Sequence, residues 1–133
     1  MARRESLIFP VLRTVCKTVR APLKIEYSVT VSKQLKGSLD YLIPAFQNLI
    51  VIEAKNADIA KGFTQLAIEL IALDQWTDSP AELLYGTVTT GDTWKFGVFH
   101  RQAKHIQKDI NTYAVPNDLD QVLSILFGIT LSS

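Results

Sequence analysis

Three charged residues are the strongest candidates for chemistry, because Asp40, Glu53 and Lys55 lie at the ends of two apolar segments. The segment before Glu53 is apolar at both odd and even positions, which is typical of a strand covered on both faces. A charge in such a place is costly unless it is paired or binds something. The three residues therefore predict a binding or catalytic site.

The residue types at this site suit a divalent metal ion. If two neighbouring strands about 4.8 Å apart carry Asp40 and Glu53, the two carboxylates converge and repel unless a cation lies between them. Hard oxygen ligands, with the backbone carbonyl of Ala54 as a further one, favour Mg²⁺ or Mn²⁺. Strand alternation places Lys55 on the face of Glu53, where a positive charge assists an attacking water or a phosphate.

Simpler interpretations exist for the same residues. Glu53 and Lys55 are two positions apart, so an internal ion pair is an alternative to a metal site. Backbone atoms at that spacing are about 6–7 Å apart, which does not favour such a pair. Asp40 alone fits a solvated carboxylate near a turn, although that does not explain why it faces this site. The metal site is the preferred interpretation.

The elements that must position these residues follow from the hydrophobic pattern. Helical spacing of apolar residues predicts helices, and alternating or continuous apolar runs predict strands. The first three strands are joined by short turns, so they form an antiparallel meander, and a helix then leads to the fourth. The predicted order is helix 5–18, strands 24–31, 38–43 and 48–55, helix 58–74, strands 81–90 and 94–99, a further strand within 105–113, and a final helix opened by Pro116.

The second helix is the most apolar of these elements. Asp58 is its predicted N-cap, and only a narrow stripe of Lys61, Gln65 and Glu69 stays polar. A helix with so wide an apolar face is expected to pack between a sheet and other elements. The fold class predicted for residues 1–133 is therefore a single α/β domain, with a mixed sheet flanked by helices.

Charge and composition restrict the function further. The net charge is +1, but residues 1–36 hold eight basic and two acidic residues, whereas the remainder holds six basic and eleven acidic. Such asymmetry marks either a surface for a polyanion or a solvated basic helix face. A single cysteine, Cys16, excludes an internal disulfide and fits a reducing compartment. With no apolar run long enough to span a membrane, the expected location is cytoplasmic.

These motifs resemble the PD-(D/E)XK nuclease superfamily, which has the restriction-endonuclease-like fold. The match comprises Asp40 within the Gly37–Tyr41 segment (GSLDY), the Glu-x-Lys of residues 53–55 closing an apolar strand, and the helix that follows. The segment 85–96 (YGTVTTGDTWKF) is similar to the strand-turn-strand of small bacterial members. Gln65 is similar to a glutamine found on that helix, although a surface position explains it equally well. One departure is Leu39, where the family often has proline.

The resemblance implies a fold, an activity and a set of partners. The fold is a mixed sheet with an α-β-β-β-α-β core, and the activity is Mg²⁺- or Mn²⁺-dependent hydrolysis of phosphodiester bonds in DNA. Asp40 and Glu53 are expected to hold the metal, and Lys55 to orient the attacking water. Small members also pair, so a homodimer is expected by analogy, and the apolar Ile125 and Phe127 on the last helix are consistent with one. The alternatives are a catalytically inactive partner or regulatory subunit of a DNA-processing system, and a binding protein whose resemblance is accidental.

Overall fold

The computed structural model describes residues 2–30, 36–45 and 48–131. Three helices and seven strands are present in these ranges, with a short 3₁₀ turn before the second helix. In chain order they are α1 (Ala2–Val19), β1 (Lys24–Thr30), β2 (Lys36–Ile43), β3 (Leu49–Glu53), the 3₁₀ turn (Lys55–Ala57), α2 (Ile59–Trp76), β4 (Leu83–Thr89), β5 (Thr93–His100), β6 (His105–Lys108), β7 (Tyr113–Ala114) and α3 (Leu119–Leu131).

The strands form one mixed sheet in the order β1-β2-β3-β4-β5-β6, with β7 also pairing with β5. β1, β2 and β3 are antiparallel neighbours, as the short turns predict. β3 and β4 are parallel, and α2 makes the crossover between them. The predicted α/β class, with a mixed sheet flanked by helices, is confirmed.

Each face of the sheet has its own hydrophobic core. α1 and α3 cover one face, where Leu12 and Leu126 pack against Val51 and Trp94. α2 covers the other face, where Leu66 and Leu70 pack against Ile50. Because β3 lies between the two cores, Leu49 through Ile52 are all fully buried. This explains why its apolar run does not alternate with polar residues.

α2 lies close to the sheet at its N-terminal end. Its predicted N-cap is confirmed, since the Asp58 carboxylate accepts a 3.0 Å hydrogen bond from the Lys61 amide. One turn into the helix, an added Cβ at Gly62 would lie 2.6 Å from Cγ1 of Val88 and 3.5 Å from Cβ of Ala54. The absence of a side chain at Gly62 therefore allows α2 to approach the ends of β3 and β4.

A charged cluster fixes the C-terminal end of α2. Asp74 accepts 2.7 Å and 2.6 Å hydrogen bonds from Arg101 and Lys104 in the turn between β5 and β6. The Arg101 guanidinium also donates to the carbonyls of Ser79 and Ala81, at 2.7 Å and 2.8 Å. One arginine thus joins the helix end, the following loop and the hairpin.

Two expectations about exposure change in the folded chain. Ile125 and Phe127 of α3 are half-buried and pack against the core on the α1 side, so they are less exposed than the sequence pattern predicts. Glu69, expected on the polar stripe of α2, is buried instead, with 8% of its surface exposed.

Among the described residues, no helix combines the length and hydrophobicity needed to cross a membrane.

Candidate functional site

The sheet is interrupted at Asp40 on both sides. The ladder with β1 pairs Tyr41 with Ile25 and Leu39 with Tyr27 but skips Asp40, and Glu26 across from it has a left-handed φ of 51°. The ladder with β3 ends at the pair of Tyr41 and Val51, and Tyr41 is the residue that follows Asp40. Asp40 therefore stands where β2 separates from β3, and where its ladder with β1 is interrupted for one pair before it resumes at Leu39.

The Asp40 side chain bridges the gap that this separation leaves. Its Oδ2 accepts a 2.8 Å hydrogen bond from the backbone amide of Glu53, thirteen positions away in the chain. Amides of a strand point within the sheet plane toward the neighbouring strand. The carboxylate oxygen therefore lies close to that plane, between β2 and β3, rather than deep on one face.

Glu53 is the last residue of β3 and is half-buried. Side chains on β3 alternate, with Val51 in the core under α1 and α3 and Ile52 in the core under α2. This alternation directs Glu53 toward the α1 side. Its backbone amide meets the Asp40 carboxylate in the sheet plane, so the contact between the two predicted acids is made by the Glu53 backbone.

The strand ends before Lys55, which corrects one part of the sequence interpretation. Ala54 is still extended, and its amide donates a 2.8 Å hydrogen bond to Thr89 of β4. Lys55 then opens the 3₁₀ turn, so strand alternation does not govern its direction. Asn56 and Ala57 have φ values of 55° and 58°. This left-handed conformation costs roughly 1–2 kcal/mol for a residue such as alanine, and it turns the chain sharply into α2.

Lys55 and Gln65 line the same cavity, between the 3₁₀ turn and the first turns of α2. The cavity has a volume of about 170 Å³, and its lining comprises Lys55, Asn56, Asp58, Lys61, Gly62 and Gln65. Lys55 and Lys61 are exposed, whereas Gln65 is half-buried. The structure thus brings the predicted lysine and glutamine together, and two lysines at this opening suit an anion such as a phosphate group.

Glu69 is a residue that the sequence interpretation missed. It follows Gln65 by four positions, so it lies one turn further along the same face of α2. Burial raises the pKa of Glu69, and the negative charge of Asp40 raises it further. Its carboxylate is therefore close enough to Asp40 to feel its charge. The only sequence feature that could have indicated this burial is the position of Glu69 beside an otherwise apolar helix face. The same position also fits an exposed polar stripe.

The donor set of the site consists of hard oxygen atoms. In the part of the chain that the structure describes, no three histidine, cysteine or acidic side chains already cluster as a metal site. Mg²⁺ needs no such cluster, since one or two carboxylates with water and substrate oxygens usually hold it. Asp40, Glu53 and the Ala54 carbonyl are oxygen donors of that chemical type. The side chain of Glu5, similar to an acidic residue on the first helix of some PD-(D/E)XK members, lies outside the described part.

No family model matches this chain, and neither does any curated protein or solved structure. The resemblance to PD-(D/E)XK nucleases therefore stays a prediction from the residues themselves. What the chain does is inferred from the geometry around Asp40.

Proposed function

We propose that this protein is a metal-dependent nuclease that hydrolyses phosphodiester bonds of DNA. The observation that carries the proposal is the 2.8 Å hydrogen bond from the Glu53 amide to the Asp40 carboxylate. It joins the two predicted metal ligands at the point where their strands separate. A carboxylate held at such a gap is reachable by a ligand that arrives from the end of the sheet.

The fold supports the proposal through its element order. Helix, three antiparallel strands, crossover helix and parallel strand follow one another from α1 to β4. This is the α-β-β-β-α-β order that the resemblance to the restriction-endonuclease-like fold implies. Because a fold hosts many functions, the order supports the placement of the site and not the chemistry.

The proposed roles of the residues at the site follow from their charges. Asp40, Glu53 and the Ala54 carbonyl would hold Mg²⁺ or Mn²⁺, which, when bound, activates water and offsets charge on phosphate. Lys55 would orient the attacking water and stabilise the added negative charge at phosphorus. Gln65, in the same cavity as Lys55, would hold that lysine or the water by hydrogen bonds.

A plasmid-nicking assay with Lys55→Ala tests the assignment. The wild-type protein is expected to nick supercoiled DNA with Mg²⁺ or Mn²⁺ and to stop when the metal is chelated. Lys55 is exposed, so its loss should leave the fold unchanged. Removing a charge that stabilises the transition state should lower the rate by about 100-fold or more.

The matched control is Lys104→Ala, which removes one exposed lysine from the protein. Lys104 contacts Asp74 near the opposite end of α2, about 20 Å along the helix from Lys61. We expect the control to nick at close to the wild-type rate. Equal rates for Lys55→Ala and wild type would contradict the proposal.

The alternative is a catalytically inactive partner in a DNA-processing system. It is favoured by the structural use of Asp40, since one oxygen of its carboxylate already closes the gap between β2 and β3. A folded wild-type protein that binds DNA but nicks neither supercoiled nor branched DNA with Mg²⁺ or Mn²⁺ would favour this alternative.

A further inference from the structure

The only two histidines of the chain lie directly opposite each other on neighbouring strands. His100 is the last residue of β5 and His105 is the first residue of β6, so they flank the turn 101–104 of this hairpin. The Cβ atoms of opposite residues on paired strands are about 4.5–5.5 Å apart. The two imidazole rings accordingly lie side by side, with their centroids 6.1 Å apart and their planes inclined at 31°. The pairing of β5 with β6 thus brings the two rings together.

Gln107 fixes the orientation of one ring. It follows His105 by two positions on β6, so the two side chains lie on the same face of the sheet. Oε1 of Gln107 lies 3.2 Å from Nε2 of His100. Because an amide oxygen can only accept a hydrogen bond, this contact places the ring proton on Nε2 and leaves the lone pair on Nδ1. His100 is therefore held in a tautomer that offers one nitrogen to a ligand.

Two imidazoles at this separation suit a transition-metal ion. Imidazole nitrogen is a ligand for Zn²⁺, Ni²⁺ and Cu²⁺, whereas Mg²⁺ and Mn²⁺ prefer oxygen. With metal–nitrogen bonds of about 2.0–2.1 Å, two rings that share one ion have centroids roughly 4.5–5.5 Å apart. The observed 6.1 Å is only slightly longer, and rotation about the side-chain bonds of one histidine covers the difference. His105 is exposed and His100 is half-buried, so His105 is the residue with the freedom to turn toward the ion.

We propose that His100 and His105 together bind a transition-metal ion of the class of Zn²⁺, Ni²⁺ and Cu²⁺. In the part of the chain that the structure describes, no third histidine, cysteine or acidic side chain clusters with them, so water completes the coordination. The site uses nitrogen donors on the β5–β6 hairpin, so it is separate from the oxygen donors around Asp40 and does not depend on the proposed function. A bound ion joins β6, which ends the strand order of the sheet, to β5 through side chains as well as through the backbone.

Ni²⁺ titration of the untagged protein by calorimetry tests the pair. His105→Gln keeps a polar side chain of similar size at an exposed position, so the fold should be unchanged. Loss of one of two nitrogens that hold the same ion should raise the Kd for Ni²⁺ at least tenfold. His100→Gln should raise the Kd to the same extent, because neither ring alone chelates the ion.

A matched control keeps two histidines in the chain but separates them. Ile110 is 91% exposed and lies beyond the end of β6, whose last residue pairs with Gly97 rather than with His100. The double variant His105→Gln/Ile110→His should therefore bind Ni²⁺ as weakly as His105→Gln does. Wild-type affinity in this double variant, or in either single variant, would overturn the proposal.

Asp40→Asn distinguishes this site from the one proposed for the nuclease. The Kd for Ni²⁺ should be the same as in the wild type, because the donors around Asp40 take no part in binding at the hairpin. A Kd that rises in Asp40→Asn but not in His105→Gln would place the ion among the oxygen donors and refute the histidine site. A wild-type protein that binds neither Ni²⁺ nor Zn²⁺ below millimolar concentration would also refute it, and the proposed Mg²⁺- or Mn²⁺-dependent activity would be unaffected.

Discussion

Gly62→Ala probes how closely α2 must approach the strand ends that carry the site. The new Cβ would lie 2.6 Å from Cγ1 of Val88, whereas ordinary contacts begin at 3.4 Å, so the gap must widen by about 0.8 Å. Val88 is fully buried and β-branched, so it has little freedom to move aside. The helix must shift instead.

Two opposing effects decide the stability of this variant. Alanine favours the helix over glycine by about 1 kcal/mol. Overpacking a well-filled core costs roughly 1–3 kcal/mol. The contact with Val88 is tight enough for overpacking to dominate, so we expect a net loss of about 1 kcal/mol in the free energy of unfolding.

Gly128→Ala on α3 is the matched control. A Cβ at Gly128 meets no described atom within 4 Å, so only the gain in helix propensity remains, about 1 kcal/mol. Urea denaturation at equal m-values should therefore separate the two variants by roughly 2 kcal/mol. If Gly62→Ala were stabilised as much as Gly128→Ala, the close packing of α2 on β4 would be wrong.

The same substitution should affect activity if the protein is a nuclease. Gln65 and the cavity wall at Gly62 move with α2, while Lys55 stays with the end of β3. A misplacement of about 1 Å can cost up to about 100-fold in rate. We expect nicking by Gly62→Ala to fall by at least tenfold, whereas Gly128→Ala should retain the wild-type rate.

Two further predictions concern charges away from the site. Burial alone would raise the pKa of Asp74, but hydrogen bonds from Lys104 and Arg101, with their charges, outweigh it and lower the pKa below the usual 3.8. Above pH 4, the free energy of unfolding of the wild type should therefore exceed that of Asp74→Asn by about 2–4 kcal/mol. This difference should disappear as the pH falls through the lowered pKa of Asp74. Urea denaturation from pH 2 to 7 measures it, and a difference that does not change with pH would contradict the prediction. The second prediction replaces three exposed basic residues of α1 and its C-terminal end with alanine, namely Arg13, Lys17 and Arg20. If these residues bind DNA phosphates, the slope of log K against log salt concentration, measured by fluorescence anisotropy, should become less steep by about 0.9 for each phosphate that is no longer neutralised. An unchanged slope would show that the three residues form only a solvated face.

The local pattern of the chain was sufficient to predict most elements. The patterns that predict α1, α2 and β3 are local in the sequence: apolar residues at helical spacing for the two helices, and a continuous apolar run for the strand. These elements can therefore be predicted without knowing the fold. Asp58 is the N-cap of α2 for the same reason, since its carboxylate bonds to an amide three residues away. The pairing of the first three strands followed from their short connections.

Positions set by distant contacts were predicted less well. The apolar pattern predicts that β3 continues to Lys55, but the strand ends at Glu53 and the chain turns through Asn56 and Ala57 in left-handed conformations. Such backbone angles are unusual for alanine, and they turn the chain from the sheet into α2. Lys55 therefore reaches its cavity from a turn.

Glu69 illustrates the same limit for side chains. On the helix it belongs to a polar stripe, and the sequence by itself determined that stripe. Only the tertiary structure decided that Asp40 of β2 lies near the Glu69 end of this stripe. β2 precedes α2 by many residues and pairs with β3, so its position relative to α2 depends on how the whole sheet is assembled. Helix periodicity gives the relative angle of a side chain, whereas burial depends on what the rest of the chain places opposite it.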